Sequence, residues 1–332
     1  MLNAARKSAS LAGMPAAATF DDVLAAAARI APHAQPTPVL RSSAIDALAG
    51  CRLAFKAEHL QRAGAFKFRG ACNAVWALTD EQARHGVATH SSGNHGAALA
   101  LAAATRRIAC HVVVPRGAVA SKLAAIAGYG AVLHRCDPGI AAREVACATV
   151  VQATGARLVH PYADAAVIAG QGTAALELLA SAGPLDAVVV PVGGGGLAAG
   201  TALALAGVAP DCQLVLAEPS GAAETRDSLA RGERVTDFVP DTICDGLRGT
   251  LGQPGFEILR AHGAEVLVVD DADTVAAMRL VWQRMKQVIE PSSAIALAAV
   301  LGHPARFAGL RVGVVLSGGN VDLDALPWAT AA

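Results

Sequence analysis

Short apolar runs rich in valine and leucine alternate along this chain with longer, alanine-rich stretches of helical character. Residues 86–90 predict a strand leading into Ser91, and residues 96–105 a helix behind it. The unit repeats as strand 112–115 with helix 121–129, and as strand 131–134 with helix 141–154. Three strand–helix units of this length predict a small parallel sheet with helices on its faces. After residues 157–161 a helix is expected at about 170–180. The run Ala187-Val188-Val189-Val190-Pro191-Val192 is apolar at every position, as a central parallel strand covered on both faces requires. Residues 214–217, 265–269 and 312–316 read as further strands of a larger sheet, and 273–288 as an amphipathic helix with acidic Asp273 in its first turn. The expected organisation is a large domain, 1–84 and 159–332, with a small domain, 85–158, inserted in it.

Composition narrows the function classes. Hydrophobic residues make up 54% of 332 and charged ones 16%, the profile of a packed α/β protein. Lys plus Arg and Asp plus Glu both number 27, so no net field draws the chain to nucleic acid or an anionic membrane. The seven cysteines are scattered without a CxxC pair, which reads as reduced core residues of a cytoplasmic protein. The first residues lack the apolar core of a signal peptide and read as a weak helical extension. No stretch is expected to reach membrane-spanning length without turn residues interrupting it.

The candidate chemistry starts at Ala65-Phe66-Lys67-Phe68-Arg69-Gly70, where a lysine stands among apolar and small residues behind the strand-like run 53–56. Desolvation disfavours its charged form and makes the amine a nucleophile, suited to holding a carbonyl cofactor as a Schiff base. Lys56, Lys122 and Lys286 compete for the role; the flanking Phe66 and Phe68 favour Lys67. Gly193, Gly194, Gly195 and Gly196 follow the apolar strand directly and can curl so that several N–H groups face one phosphate. Neither GxGxxG nor a Walker loop is formed there. Lysine and phosphate cradle together point to pyridoxal phosphate. Ser91-Ser92-Gly93-Asn94-His95-Gly96 stands at another strand-to-helix junction, where hydroxyl, amide and backbone donors suit a carboxylate. Ser317 ends the last apolar strand, where parallel folds place ligands.

These motifs, with Thr37-Pro38-Val39-Leu40 and the segment 167–173, resemble fold-type II pyridoxal phosphate enzymes of the serine racemase and serine/threonine dehydratase family, over the chain from about residue 37 to its end. The resemblance implies a tryptophan synthase β-like α/β fold of two open twisted sheets flanked by helices, and a homodimer. It implies that Lys67 binds the cofactor, Phe66 packs by its ring, Asn94 meets the ring 3-hydroxyl, the four glycines hold the phosphate and Ser317 meets the pyridine nitrogen. Ser91, Asn94 and His95 would hold the substrate carboxylate. Ser92 would be the second acid/base of a racemase, and Arg143 would face a second substrate carboxylate. Glu218, the carbonyl of Ala222 and Glu224 match a family divalent-cation site, with Mg²⁺ or Ca²⁺ suited to such oxygen ligands. The third position is Glu where the racemase has Asp.

The expected activity is therefore that of a lyase: ammonia removal from L-serine, L-threonine or a related β-hydroxy amino acid, with Lys67 taking the Cα proton. Serine racemisation and 3-hydroxyaspartate ammonia-lyase activity are the alternatives.

Overall fold

The computed structural model describes residues 18–329, so the expected amino-terminal helical extension lies outside the described residues. Among the described residues, ten strands form two sheets. They are β1 (Val39–Leu40), β2 (Arg52–Lys56), β3 (Val87–His90), β4 (Cys110–Pro115), β5 (Val132–Cys136), β6 (Arg157–Leu158), β7 (Ala187–Pro191), β8 (Gln213–Pro219), β9 (Glu265–Val269) and β10 (Arg311–Val315). The larger sheet runs β1-β2-β10-β7-β8-β9 and the smaller β5-β4-β3-β6. Only the two-residue β1 is antiparallel, paired with β2. The short β6, which joins the smaller sheet beside β3, adds a fourth strand to the three expected there.

The central strand β7 is buried at all five positions. Its side chains alternate between two cores: Val189 faces a cluster containing helix Pro291–Gly302, and Val188 and Val190 face one containing Leu178, Leu197 and Leu205. Helix Pro291–Gly302, which covers one face of this sheet, is among the elements the periodicity did not single out; nine of its twelve residues are buried, so it shows no polar stripe.

One expectation needs correction. The apolar stretch expected to fall short of membrane-spanning length, with a helix at about 170–180, is instead one unbroken helix from Ala165 to Ala182 that contains Gly170 and Gly172 and is long and apolar enough to cross a membrane. The glycines serve close packing. A Cβ on Gly170 would stand 2.6 Å from the Cα of Gly70, and one on Gly172 2.6 Å from the carbonyl of Gly200. More than half of this helix (56%) is buried inside the fold, where it is a core helix. The expected helix at 273–288 is also shifted: it spans Asp271–Met285 and ends where Lys286 takes a left-handed conformation, φ 60°.

Helix Lys67–Trp76, which carries the candidate lysine, is anchored by a buried charge network. Arg69 donates to both oxygens of Glu58 (2.7 and 2.9 Å) and both of Glu177 (2.7 Å each). Lys56 donates to Glu177 at 2.6 Å and to the carbonyl of Thr37 at 2.7 Å. Two cations and two carboxylates neutralise one another, and the paired forks give the guanidinium one geometry. This fixes the helix two residues beyond Lys67.

Candidate active site

A cavity of about 480 Å³ opens at the carboxyl ends of the strands, between the two sheets. Lys67, the four glycines and Ser317 line it from the larger sheet, and Ser91, Ser92, Asn94, His95 and Arg143 from the smaller. Every catalytic, cofactor and substrate candidate read from the sequence, Phe66 included, therefore faces one space. Glu218, Ala222 and Glu224 are not among its lining residues and form a separate buried group. A larger groove, about 1010 Å³, lies at the opposite end of the strands beside Asp186 and Arg311, whose charges pair at 2.6 Å. It holds none of the candidate residues.

The amine of Lys67 donates to the carbonyl of Pro161 at 3.1 Å and lies 5.0 Å from the centre of the Phe66 ring. Burial pulls its pKa from 10.5 down to about 8, against the opposing pull of Glu290. The flanking aromatics do not both face it, as the sequence suggested: Phe68 is fully buried in the core, and only Phe66 lines the cavity. The competing lysines are otherwise engaged or exposed. Lys56 is wholly buried in the network above, Lys122 pairs with Asp245 across the cavity rim, and Lys286 donates to the carbonyl of Gln283 at the surface. Among the described residues no carboxylate lies within ion-pair distance of Lys67.

The glycine run opens helix Gly196–Val208, with Gly195 in a left-handed conformation (φ 87°) at its cap and no side-chain cap bond. A Cβ on Gly194 would meet the Tyr162 ring at 2.2 Å, and one on Gly193 the Leu247 backbone at 2.8 Å. The close approach of these walls demands glycine, and all four glycines line the cavity. Helix Asn94–Arg106 likewise starts without a side-chain cap, behind Gly93. Two uncapped helix ends on one cavity favour anionic groups at two points. A partly buried lysine of lowered pKa beside a glycine cradle fits an aldehyde-bearing phosphate cofactor, and these residues suit pyridoxal phosphate.

Asn94 reaches across the cavity floor. It donates to Glu290 at 2.8 Å and accepts from Asn320 at 2.9 Å. Burial first, then Asp245, raises the carboxyl of Glu290 to about 8, so it is mostly neutral at pH 7. His95 is buried and held neutral by desolvation and by Lys67; its Nε2 meets the carbonyl of Val159 at 3.3 Å. Its Nδ1 has no partner among the described residues. Ser317 is buried at the end of β10, 3.5 Å from the carbonyl of Ser292. Glu290 escaped sequence reading because a Glu-Pro pair ahead of an apolar run signals only a helix start. His160 and Pro161 carried no motif either.

The family model of pyridoxal-phosphate dependent enzymes matches residues 30–318. A beta-hydroxyaspartate dehydratase of Paracoccus denitrificans is 47% identical over 310 residues, covering 93% of this chain and 98% of its own length. A serine racemase of Dictyostelium discoideum is 45% identical over 315 residues, covering 94% and 97%. The solved structure of maize serine racemase superposes with a TM-score of 0.90 at 44% identity, over 93% of this chain and 95% of that one. With its lysine, glycine cradle and paired sheets, the chain belongs to the pyridoxal-phosphate dependent enzymes, in the fold-type II family of serine racemases and ammonia-lyases.

Proposed function

We propose that this enzyme is an ammonia-lyase for a 3-hydroxyaspartate, releasing ammonia and a 2-oxo diacid. The observation that carries this reading is Arg143. It lines the cavity, and the only hydrogen bond of its guanidinium among the described residues goes to the carbonyl of Gly139 at 3.3 Å. The other cation on that wall, Lys122, is neutralised by Asp245. A guanidinium facing a polar cavity suits a second substrate carboxylate, which serine and threonine lack. The likeness to a beta-hydroxyaspartate dehydratase supports the same substrate class and moves it ahead of L-serine and L-threonine.

In this reading Lys67 holds the cofactor, with Phe66 against the ring, Asn94 at the 3-hydroxyl, Gly193, Gly194, Gly195 and Gly196 around the phosphate and Ser317 at the pyridine nitrogen. Pyridoxal phosphate, when bound, draws electrons from the substrate Cα and acidifies its proton. Ser91, Asn94, His95 and the uncapped helix start receive the α-carboxylate. The Lys67 amine, with its pKa near 8, is matched to taking the Cα proton at neutral pH. Loss of that proton and of the β-hydroxyl removes water, and hydrolysis then releases ammonia.

Replacing Arg143 by Gln should lower kcat/KM for 3-hydroxyaspartate by about 10- to 100-fold, the scale of one charge-assisted hydrogen bond, and leave L-serine turnover within about 3-fold. Equal losses on both substrates, or none, would remove Arg143 as the specificity element. Racemisation is the second reading, favoured by Ser92 on the same cavity. It predicts that Ser92→Ala abolishes interconversion of serine enantiomers and spares elimination.

We further propose Mg²⁺ or Ca²⁺ at Glu218, Glu224 and the Ala222 carbonyl. The described residues hold no group of three or more acidic, His or Cys ligands. The support is one open position: Glu224 Oε2 is buried without a hydrogen-bond partner among the described residues, and burial beside Glu218 raises this carboxyl to about 8. A cation would satisfy that oxygen and permit both groups to ionise. The inserted unit 85–158 and a homodimer also belong to the proposal. The first is supported by the pairing of β3 to β6 only with one another, and the second by the family resemblance. Cytoplasmic location is supported by seven buried, unpaired cysteines.

A further inference from the structure

His160 belongs to none of the motifs, yet it organises the turn that Lys67 leans on. Its Nδ1 accepts the backbone N–H of Tyr162 at 3.4 Å and of Ala163 at 3.1 Å. A ring nitrogen that accepts two amides keeps its lone pair there, so the ring proton is confined to Nε2. Burial, and then His90 and Lys67, lower the pKa of His160 to about 4, which leaves this acceptor available throughout the neutral range. The ring is boxed edge-to-face by His90 (centroids 5.2 Å apart) and by Tyr162 (4.6 Å). Folding two amides onto one nitrogen bends the chain at Pro161, and the Pro161 carbonyl thereby meets the Lys67 amine at 3.1 Å. That carbonyl is the only hydrogen-bond acceptor Lys67 has among the described residues. Glu290, His95 and His160 are the titratable groups that face the amine, and the Phe66 ring covers another side.

We propose that His160 is a positioning residue for Lys67: by accepting both amides of its turn it aims the Pro161 carbonyl at the amine, and so directs the amine's lone pair into the cavity. This rests on the reading of Lys67 as the base that takes the Cα proton. An amine held through one N–H has its remaining directions restricted, and proton transfer depends steeply on such alignment.

Substitution separates this role from space filling. Asn places its Oδ1 where His places Nδ1 and can accept the same two amides, in the manner of an Asx turn. Leu fills the space and accepts nothing. His160→Leu is expected to lower kcat by about 100-fold, the scale of a 1 Å misalignment, with KM nearly unchanged, whereas His160→Asn stays within about 5-fold of the parent. The limb of the pH–rate profile that reports Lys67 should move in His160→Leu and return in His160→Asn. A second readout needs no turnover: the Lys67 pKa in the cofactor-free full-length chain, followed by competitive methylation with ¹³C-formaldehyde. It should shift in His160→Leu alone. If His160→Leu does not fold, His160→Gln, whose acceptor lies one bond farther out, takes its place with the same expectation. Unchanged kcat and Lys67 pKa in the Leu or Gln variant overturn the proposal, as does a His160→Asn variant as impaired as either. Failure of every hydroxy amino acid as a substrate would overturn the lyase reading, while the methylation result still judges His160.

Discussion

The two walls of the cavity are built differently. On the larger sheet, β7 is buried throughout and β2 and β10 are buried at all but their first residue. The helix behind Lys67 is pinned through Arg69 to two carboxylates. On the smaller sheet β3 is buried throughout, but the outer side is open: β5 buries only Cys136, and helix Ile140–Thr154, which carries Arg143, buries only Cys147. A wall with many buried contacts resists local opening and a wall with few does not. Apart from Asn94, the residues proposed to hold a cofactor stand on the larger wall, a task that rewards rigidity, and those proposed to meet the substrate, which arrives and leaves each cycle, stand on the smaller. Asn94 to Glu290 and Lys122 to Asp245 join the two.

The largest effect should come from the rigid wall. Lys67→Ala is expected to remove the visible absorbance of the cofactor-loaded protein and at least about 10³-fold of its activity. A variant that keeps both would break the assignment of this wall to the cofactor.

Stability tests the contrast directly. Arg69→Met leaves Glu58 and Glu177 short of a partner and should cost about 3–5 kcal/mol in denaturant unfolding. Val145→Ala, at an exposed position of the smaller unit, should change stability by no more than about 0.5 kcal/mol. Similar losses in the two variants would erase the distinction between the walls.

The contact line between them should report pH. Glu290 carries its proton more tightly in the folded state, where its pKa is about 8, than at the ordinary value of 4.5. The folded state therefore binds more protons across that interval. The stabilising contribution is complete below the lower value and is lost as pH rises toward and through the upper one. Glu290→Gln, which cannot titrate, should show a smaller fall in stability between pH 5 and pH 8 than the parent. Urea unfolding at the two pH values decides it: identical slopes would mean that Glu290 is not held neutral.

The smallest expected effect concerns the Glu218–Glu224 pair. Treatment with a chelator should lower the melting temperature by a few degrees, and Mg²⁺ or Ca²⁺ should restore it. A melting temperature indifferent to both would remove the cation.

Much of this was legible in the residues. The all-apolar run ending in four glycines marks a buried strand and a ligand-bearing turn because both requirements are local: a strand covered on both faces has no polar positions, and a left-handed cap with walls closer than a Cβ permits only glycine. Gly170 and Gly172 answer to a different requirement, the approach of another helix, which no local rule reveals.

What only the tertiary structure decided was which charges meet. Lys56 and Lys67 both follow or interrupt apolar sequence, and composition cannot rank them. Folding brings Glu177 from 121 positions away onto Lys56 and leaves Lys67 facing a carbonyl at the cavity wall. It likewise brings Glu290 across 196 positions to Asn94, where burial neutralises it. Backbone conformation is dictated within a few residues by sterics, so the sequence by itself determined most of the strands, the glycine turn and the candidate lysine. The state of a titratable group depends on partners and solvent excluded from every direction, and those are known only once the chain has packed.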